Sequence, residues 1–229
     1  MNNPTPLLEF DRVSLRTVAY SQSEMRGIGF RLLPGDLLRV QTEPGNERLP
    51  LADAAEGLIV PDEGAVAFMG MRWSGATPDH VLSLRARIGR VFEGHGWISN
   101  LNVLENLTLS QRHHTVRPAA DIIAEAQSLA RSFGLSEVPP GRPAGVPGRD
   151  LRRAEWIRAF LGHPALILLE RPMFGVAIEH RPKLIRAVEE ECARGAAVIW
   201  IHDDSAMAPE LSLQKCLRFR MRGDTMVMN

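Results

Sequence analysis

Cysteine is scarce in this sequence, and its placement excludes several classes of site. Among 229 residues there are only two, Cys192 and Cys216. They lack the short spacing of a zinc site, and nothing in the sequence indicates secretion, so we interpret both as free thiols in a reducing compartment. The first residues, MNNPTPLLEF, have neither the basic region nor the apolar run of a signal peptide.

Net charge and long apolar runs are also missing. The 27 basic and 27 acidic residues cancel, so no overall field attracts nucleic acid or an anionic membrane. No apolar run approaches the roughly 20 residues that span a bilayer. We therefore expect a soluble, cytoplasmic protein that reaches membranes only through a partner.

The composition that is present is that of a globular protein with a sizeable core. Hydrophobic residues make up 45% of the chain and charged residues 24%, which are ordinary values. The length fits one large α/β domain or two small ones.

The first part of the chain reads mainly as strands. Residues 7–15 alternate between apolar and polar side chains, as a half-buried strand does. Two short strands are predicted around the Pro34-Gly35 turn, and further strands at residues 65–70 and 87–93. A helix is predicted at residues 50–59.

The pattern then becomes helical before it returns to strands and a helix. Residues 101–135 carry apolar side chains at helical spacing, and a Pro/Gly-rich linker and a helix at 151–162 follow. The apolar runs ALILLE and AAVIWIHDD predict two buried parallel strands, separated by an amphipathic helix. A hairpin is predicted around Gly223-Asp224. The order indicates a parallel α/β core with an inserted helical subdomain.

With strand, loop, helix, inserted helices, ILLE and WIHD in this order, the whole chain resembles the nucleotide-binding subunit of ATP-binding-cassette (ABC) transporters. The segments RIGRVFEGHGWISNLNVLENLTL and RPAGVPGRDLRRAEWIRAFLGHPALILLERP are most similar to the ATPases of lipid-trafficking systems that contain MCE proteins, the lipid-asymmetry type. The resemblance implies an ABC-type ATPase fold over residues 1–229. A RecA-like P-loop core with an N-terminal antiparallel β part would occupy about 1–94 and 156–229, and a helical subdomain about 95–155.

The phosphate-binding loop is where the sequence departs most from this family. The family has Gly-x-x-Gly-x-Gly-Lys-Ser-Thr, and these positions fall on residues 42–50, where only the central glycine, Gly45, is kept. Of the residues that would meet phosphate, Arg48 replaces the lysine and Leu49 has no oxygen for Mg²⁺. Pro50 has no N–H to donate. The site positions here are Gly45, Asn46, Arg48, Leu49 and Pro50. The loop is either a plain turn without a ligand or a site with altered nucleotide binding.

Two further sequence blocks of the family are altered. The glutamine that joins Mg²⁺ to the membrane subunit falls on Glu93, which could equally be an exposed loop carboxylate. The signature motif, whose serine contacts a γ-phosphate across a dimer, falls on residues 146–150, with Pro147, Gly148 and Arg149 at its centre. Pro147 has neither a hydroxyl nor an N–H.

The catalytic pair at the end of the ILLE strand is also changed. Glu170 can still act as the metal-orienting acid, but Arg171 stands where the family has the catalytic base, and a guanidinium stays protonated and cannot activate water. His202 occupies the position of the switch histidine, although a buried histidine at a strand end can be purely structural. Tyr20 is the candidate for stacking on adenine.

The leading hypothesis is a degenerate ABC subunit that couples to or scaffolds a transmembrane permease in lipid transport, with little or no ATP hydrolysis. The resemblance implies ATP and Mg²⁺ as cofactors, and the substitutions argue against tight binding of either. It also implies a second nucleotide-binding subunit, in a homodimer or heterodimer, an MCE-type partner, and a location on the cytoplasmic face of the cell membrane. The alternatives are an active ATPase with unorthodox residues and a scaffold unrelated to transport.

Overall fold

The computed structural model describes residues 5–16, 24–43, 49–203 and 216–228. Within these ranges the strands are β1 (Leu8–Arg16), β2 (Glu24–Leu32), β3 (Leu37–Gln41), β4 (Glu63–Phe68), β5 (Met71–Arg72), β6 (Ile88–Val91), β7 (Leu166–Glu170), β8 (Ala197–His202), β9 (Cys216–Arg222) and β10 (Thr225–Met228). The α-helices are α1 (Leu51–Ala55), α2 (Pro78–Arg85), α3 (Val103–His114), α4 (Ala119–Ser132), α5 (Gly148–Phe160) and α6 (Arg181–Ala193). No helix in the described ranges is both long and apolar enough to cross a membrane.

A small antiparallel sheet forms from the first part of the chain, in the order β2-β1-β4-β5. Its central strand β1 pairs with β2 on one side and with β4 on the other. Phe10 of β1 and Phe30 of β2 are register partners, and their rings stack with centroids 4.6 Å apart. Alternating apolar residues thus give this sheet one buried face.

The larger sheet carries the parallel core of the molecule. Its order is β10-β9-β3-β8-β7-β6. The five strands β9, β3, β8, β7 and β6 are all parallel to their neighbours among these five. β7 and β8 are buried along their whole length, which explains their continuous apolar runs, since a strand covered on both faces has no solvent side. The antiparallel β9–β10 hairpin closes one edge.

Apolar residues on the two faces of this sheet enter separate cores. Trp200 of β8 packs with the helices in one core, whereas its neighbours Ile199 and Ile201 pack towards the small sheet in the other. In the helical core, Phe133 makes edge contacts with the rings of Trp156 and Phe160, at centroid distances of 5.4 and 5.6 Å. The large sheet is therefore the middle layer of the fold.

Most predicted elements are found, with three differences. The helix predicted at 50–59 is confined to α1, and the chain turns at Glu56 and Gly57. Helix α2 and the two-residue strand β5 were not predicted. Helix α2 has no buried residue, so it lacks the apolar stripe that identifies a helix in a sequence. The division into a core and a helical subdomain at about residues 95 and 155 stays a prediction.

Candidate functional site

The candidate site lies along the edge of the large sheet where the parallel strands end. Strands β3, β8, β7 and β6 are neighbours there and run in the same direction. Their carboxyl ends therefore bring together residues that are far apart in the sequence, and ligands of open α/β sheets bind at such edges. The predicted positions Glu93, Glu170, Arg171 and His202 all lie here.

Glu170, the last residue of β7, is held by an arginine. Its Oε2 accepts a hydrogen bond from Nε of Arg90 on the adjacent strand β6 at 2.8 Å. The same guanidinium also pairs with Asp53 of α1 at 2.7 Å and with Glu56 at 2.9 Å. Arg90 is 7% exposed. The carboxylate predicted to orient a metal thus already has a cationic partner.

Burial and charge act in opposite directions on this cluster. Burial raises the pKa of Glu170, and the hydrogen bond from Arg90 opposes that rise. Burial also tends to lower the pKa of Arg90, but Glu170, Glu56 and Asp53 together raise the pKa above the ordinary value of a guanidinium. Arg90 is therefore a permanent cation at this position.

Arg171, which the sequence predicts at the position of the catalytic base, lies between two acids. Its Nη2 is 2.5 Å from Oδ2 of Asp203, and its Nη1 is 3.4 Å from Oε1 of Glu93. The guanidinium also lies over the ring of Phe174, 4.7 Å from the centroid. The side chain is 18% exposed. The structure thus joins the two predicted positions Glu93 and Arg171 by an ion pair. In the resembled family these positions hold a glutamine and a glutamate.

The backbone holds Arg171 in place as well. Its φ is 44°, a left-handed conformation that is unusual for a residue other than glycine. Its N–H donates to the carbonyl of Ile201 on β8 at 3.0 Å, and its own carbonyl accepts from the N–H of Phe174. The turn after β7 therefore fixes the direction in which Arg171 points.

The end of β3 is joined to the end of β8 by the backbone. The N–H of Thr42 donates to the carbonyl of His202 at 2.8 Å, and its hydroxyl lies 3.3 Å from the same oxygen. His202 is buried at the end of β8. This placement agrees with both interpretations of His202, a switch residue or a structural one.

Only part of the predicted phosphate loop falls in the described ranges. Gly45, Asn46 and Arg48 lie outside them, and so does Tyr20, the candidate for adenine stacking. Leu49 is buried in the core shared with the small sheet. Pro50 directly precedes α1, and its side chain makes no hydrogen bond to the start of the helix. The helix that follows has only five residues.

The predicted signature residues lie at the start of α5 and face solvent. Pro147 is the N-cap of α5, and Gly148 is its first residue. The side chain of Arg149 is 76% exposed, and its nearest acid is the adjacent Asp150, which in turn pairs with Arg153 at 2.6 Å. The role of these positions in a partner's site stays a prediction.

Helix α5 fixes the loop that carries Glu93, a feature that the sequence did not indicate. Arg152 donates to the carbonyl of Phe92 at 3.0 Å, and Arg158 donates to the carbonyls of His95 and Gly96 at 2.9 Å each. The fully buried Glu155 contacts His95 Nδ1 at 2.7 Å and Arg152 at 2.6 Å.

Burial is the largest influence on the pKa values of Glu155 and Arg158 on the same face of α5. Burial raises the pKa of Glu155, against the opposing charges of Arg152 and His95. Burial likewise lowers the pKa of Arg158. Opposed charges at short range hold this face of α5 and the loop together.

The described residues do not fit a magnesium triphosphate in the manner of the resembled family. Leu49 offers no oxygen, Glu170 is paired with Arg90, and Arg171 is a cation. Within the described ranges no three His, Cys, Asp or Glu side chains are arranged to hold a metal ion. Two guanidinium groups occupy the part of the edge where a metal and a base would be needed.

Comparisons with known proteins identify the fold. No protein-family model matches the chain. The chain is 24% identical over 200 residues to a macrolide export ATP-binding/permease protein of Azoarcus sp., covering 86% of this chain and 30% of that protein. It is 25% identical over 203 residues to a phosphonates import ATP-binding protein of Rhodopseudomonas palustris, covering 84% and 75%. It is 24% identical over 166 residues to the ATP-binding protein of the intermembrane phospholipid transport system of Escherichia coli, covering 71% and 62%.

Solved structures agree with these relatives. An ATP-binding cassette in a dimeric post-hydrolysis state, bound to ADP and phosphate, superposes with a TM-score of 0.84 over 97% of both chains, at 16% identity. An ATP-binding subunit of an ABC transporter gives a TM-score of 0.81 over 97% of this chain and 89% of that one, at 19% identity. The predicted fold class is confirmed.

Proposed function

We propose, from the premise that this chain has the ABC ATPase fold, that it is an ATP-binding-cassette subunit of a membrane transporter with little or no ATP hydrolysis of its own. The observation that carries the proposal is Arg171, held between Glu93 and Asp203 at the position of the catalytic base. A guanidinium does not accept a proton at any working pH, so it cannot activate water. General-base catalysis typically contributes about 10²–10⁴-fold to a rate.

The role that remains is architectural. The chain keeps the parallel sheet and the helical layer of the fold, and α5 holds the loop after β6 through Arg152 and Arg158. In the resembled family this loop links the site to the transmembrane subunit. We propose that the chain docks beneath such a permease on the cytoplasmic face of the membrane and supports it or transmits movement to it.

The cargo that we propose is lipid. The similarity of residues 87–109 and 142–172 to ATPases of lipid-asymmetry systems supports it, as does the phospholipid-transport relative from E. coli. The relatives also include exporters and importers of other solutes. An MCE-type lipid-binding protein and a second nucleotide-binding subunit, identical or different, complete the proposed assembly.

Mg²⁺-dependent phosphate release from ATP tests the loss of hydrolysis. The full chain is purified together with any transmembrane and cassette subunits that accompany it, and Glu170→Gln and Arg171→Ala are compared with the wild type. We expect any turnover to be unchanged in both variants, because it would arise in a partner subunit. Turnover that is lost on Glu170→Gln, with assembly intact, would instead assign a working site to this chain.

Affinity purification from detergent-solubilised membranes tests the transporter assignment. We expect the tagged chain to retain a multi-span membrane protein and an MCE-type protein, with bound phospholipid detectable by mass spectrometry. The same tag on an unrelated cytoplasmic protein is the control. Retention of a permease with a different cargo would refute the lipid assignment alone, and absence of any multi-span protein would refute the transporter role.

A further inference from the structure

Three carboxylates converge on one buried guanidinium at the edge of the sheet. Arg90 Nε bonds Glu170 at 2.8 Å, and Nη1 lies 2.7 Å from Asp53 and 2.9 Å from Glu56. The exposed fractions of the side chains are 7% for Arg90, 10% for Glu170, 15% for Glu56 and 40% for Asp53. Most of the cluster is therefore shielded from solvent. Charges in such a place interact more strongly than charges in water.

The cluster joins α1 to two strands that are already paired with each other by backbone hydrogen bonds. Arg90 lies on β6 and Glu170 on the neighbouring strand β7, while Asp53 and Glu56 lie in α1 and at its end. The ring of Phe92 packs against the guanidinium, with 4.6 Å between the Arg90 Cζ and the ring centroid. A planar group stacked on one face and bonded along its edge has little freedom to leave.

The balance of charge at this point depends on Arg90. Three acids contact this one base directly, and Arg158, which lies over the same Phe92 ring, also acts on Glu56. Without Arg90, the carboxylates would repel one another in a mostly buried place. In metal-dependent sites a bound ion supplies the neutralising charge.

We infer that Arg90 is the built-in counter-cation of the carboxylates at the end of β7, so that the folded chain needs no divalent cation there. The inference goes beyond the proposed function, because it concerns stability without nucleotide and holds whether or not a partner subunit hydrolyses ATP. It assigns Arg90 a positioning role that none of the family's sequence blocks indicates: the arginine fixes Glu170 and ties α1 to the sheet.

Thermal unfolding of the full chain, without nucleotide, tests the inference. We expect the wild-type midpoint to be the same with Mg²⁺ and with a chelator. Arg90→Ala should lower the midpoint by about 10 °C, since breaking a buried ion pair is strongly destabilising. Arg87→Ala, which removes an exposed arginine next to β6, is the matched control and should leave the midpoint nearly unchanged.

A double-mutant cycle gives the sharpest outcome. Glu170→Gln should lower the midpoint in the wild-type background, where it removes the negative charge that pairs with Arg90. The same loss of charge should raise the midpoint in the Arg90→Ala background, where the carboxylate of Glu170 has lost its cationic partner. Should Arg90→Ala not fold, recovery of soluble protein by the double variant provides the same readout.

Two results would overturn the inference. A wild-type midpoint that rises with Mg²⁺ alone would mean that the edge does take up a divalent cation. A Glu170→Gln effect of the same sign in both backgrounds, or a double variant as insoluble as Arg90→Ala, would mean that Arg90 does not compensate this carboxylate. Both are independent of ATP turnover, so the proposed function and this inference can fail separately.

Discussion

Arg171 places a cation directly after β7, at the edge of the sheet where the strand ends. The strand before it is intact, and Glu170 keeps its position, yet the next side chain is a cation bound by Glu93 and Asp203. The change at Arg171 is matched by an acid at Glu93, where the resembled family has an amide. Two altered positions therefore stabilise each other within one chain.

Because of this matching, restoring the family residue at one position alone should fail. Arg171→Glu would place a third carboxylate beside Glu93 and Asp203 without a cation, and like charges at short range repel. We expect no gain in Mg²⁺-dependent ATP turnover and a loss of about 2 kcal/mol of stability in urea unfolding. Arg171→Gln, which adds no charge, is the control and should lose less. Robust turnover by the single variant would contradict this prediction.

A second residue-scale prediction concerns the thiol of Cys192. Burial raises its pKa from 9.0 to about 12. A group with a raised folded-state pKa stabilises the fold below the unfolded value, so this contribution is present below pH 9 and is lost as the pH rises towards 12. We expect the free energy of unfolding to fall over that interval more steeply in the wild type than in Cys192→Ala. Equal slopes would contradict it.

Among the elements, β6 and α5 approach each other tightly at Gly89. A Cβ placed there would lie 1.8 Å from the carbonyl oxygen of Ala159, which cannot move without disturbing the helix. This contact lets α5 pack beside β6, and it thereby brings Arg152 and Arg158 to the loop that follows the strand. The absence of a side chain at Gly89 thus allows the charged face of α5 to lie against the loop after β6.

Gly89→Ala should therefore be one of the most damaging small substitutions. We expect a loss of about 3 kcal/mol or more, because overpacking against a backbone atom forces the strand and helix apart. Gly75→Ala, at a glycine with open space around its Cα and no positive φ, is the control and should change little. Urea unfolding measures both, and similar losses would contradict the role of Gly89.

The sequence predicted the elements best where burial leaves a pattern. Strands β7 and β8 were found from their apolar runs, and α6 from its apolar stripe. Helix α2 was not predicted, because it has no buried residue that would leave an apolar pattern. Helix α1 was predicted too long, because the chain turns at Glu56 where the prediction continued the helix. Family spacing predicts the site positions Glu93, Glu170 and Arg171, and the structure places all three along one edge of the large sheet. Their partners Arg90 and Asp203 were not predicted, since an ion pair between distant residues has no local signal.

At the scale of the whole molecule, the two sheets share one apolar core. Phe30 of the small sheet packs near Phe219 of the large sheet, with 6.5 Å between ring centroids. The N–H of Arg26 donates to the carbonyl of Asp224 at 2.9 Å, and the side chains of the two residues pair at 3.2 Å. The small sheet and the C-terminal hairpin are therefore coupled.

This coupling predicts that both sheets unfold together. Phe219→Ala should destabilise the whole chain by about 3–5 kcal/mol, as for other large core truncations. Hydrogen exchange should then speed up by the same factor in β1 and in β7, because both exchange through one global opening. Faster exchange in only one sheet would show that the two are separate cooperative units.

The position of β3 in the larger sheet has a consequence for biosynthesis. This strand ends at Gln41, yet both of its neighbours, β8 and β9, begin only at Ala197 and Cys216. On the ribosome, β3 must stay unpaired until β8 has emerged. Until then its apolar segment is open to wrong pairing, and we expect the nascent chain to be shielded, by chaperones or by an early partner, until β8 and β9 have emerged.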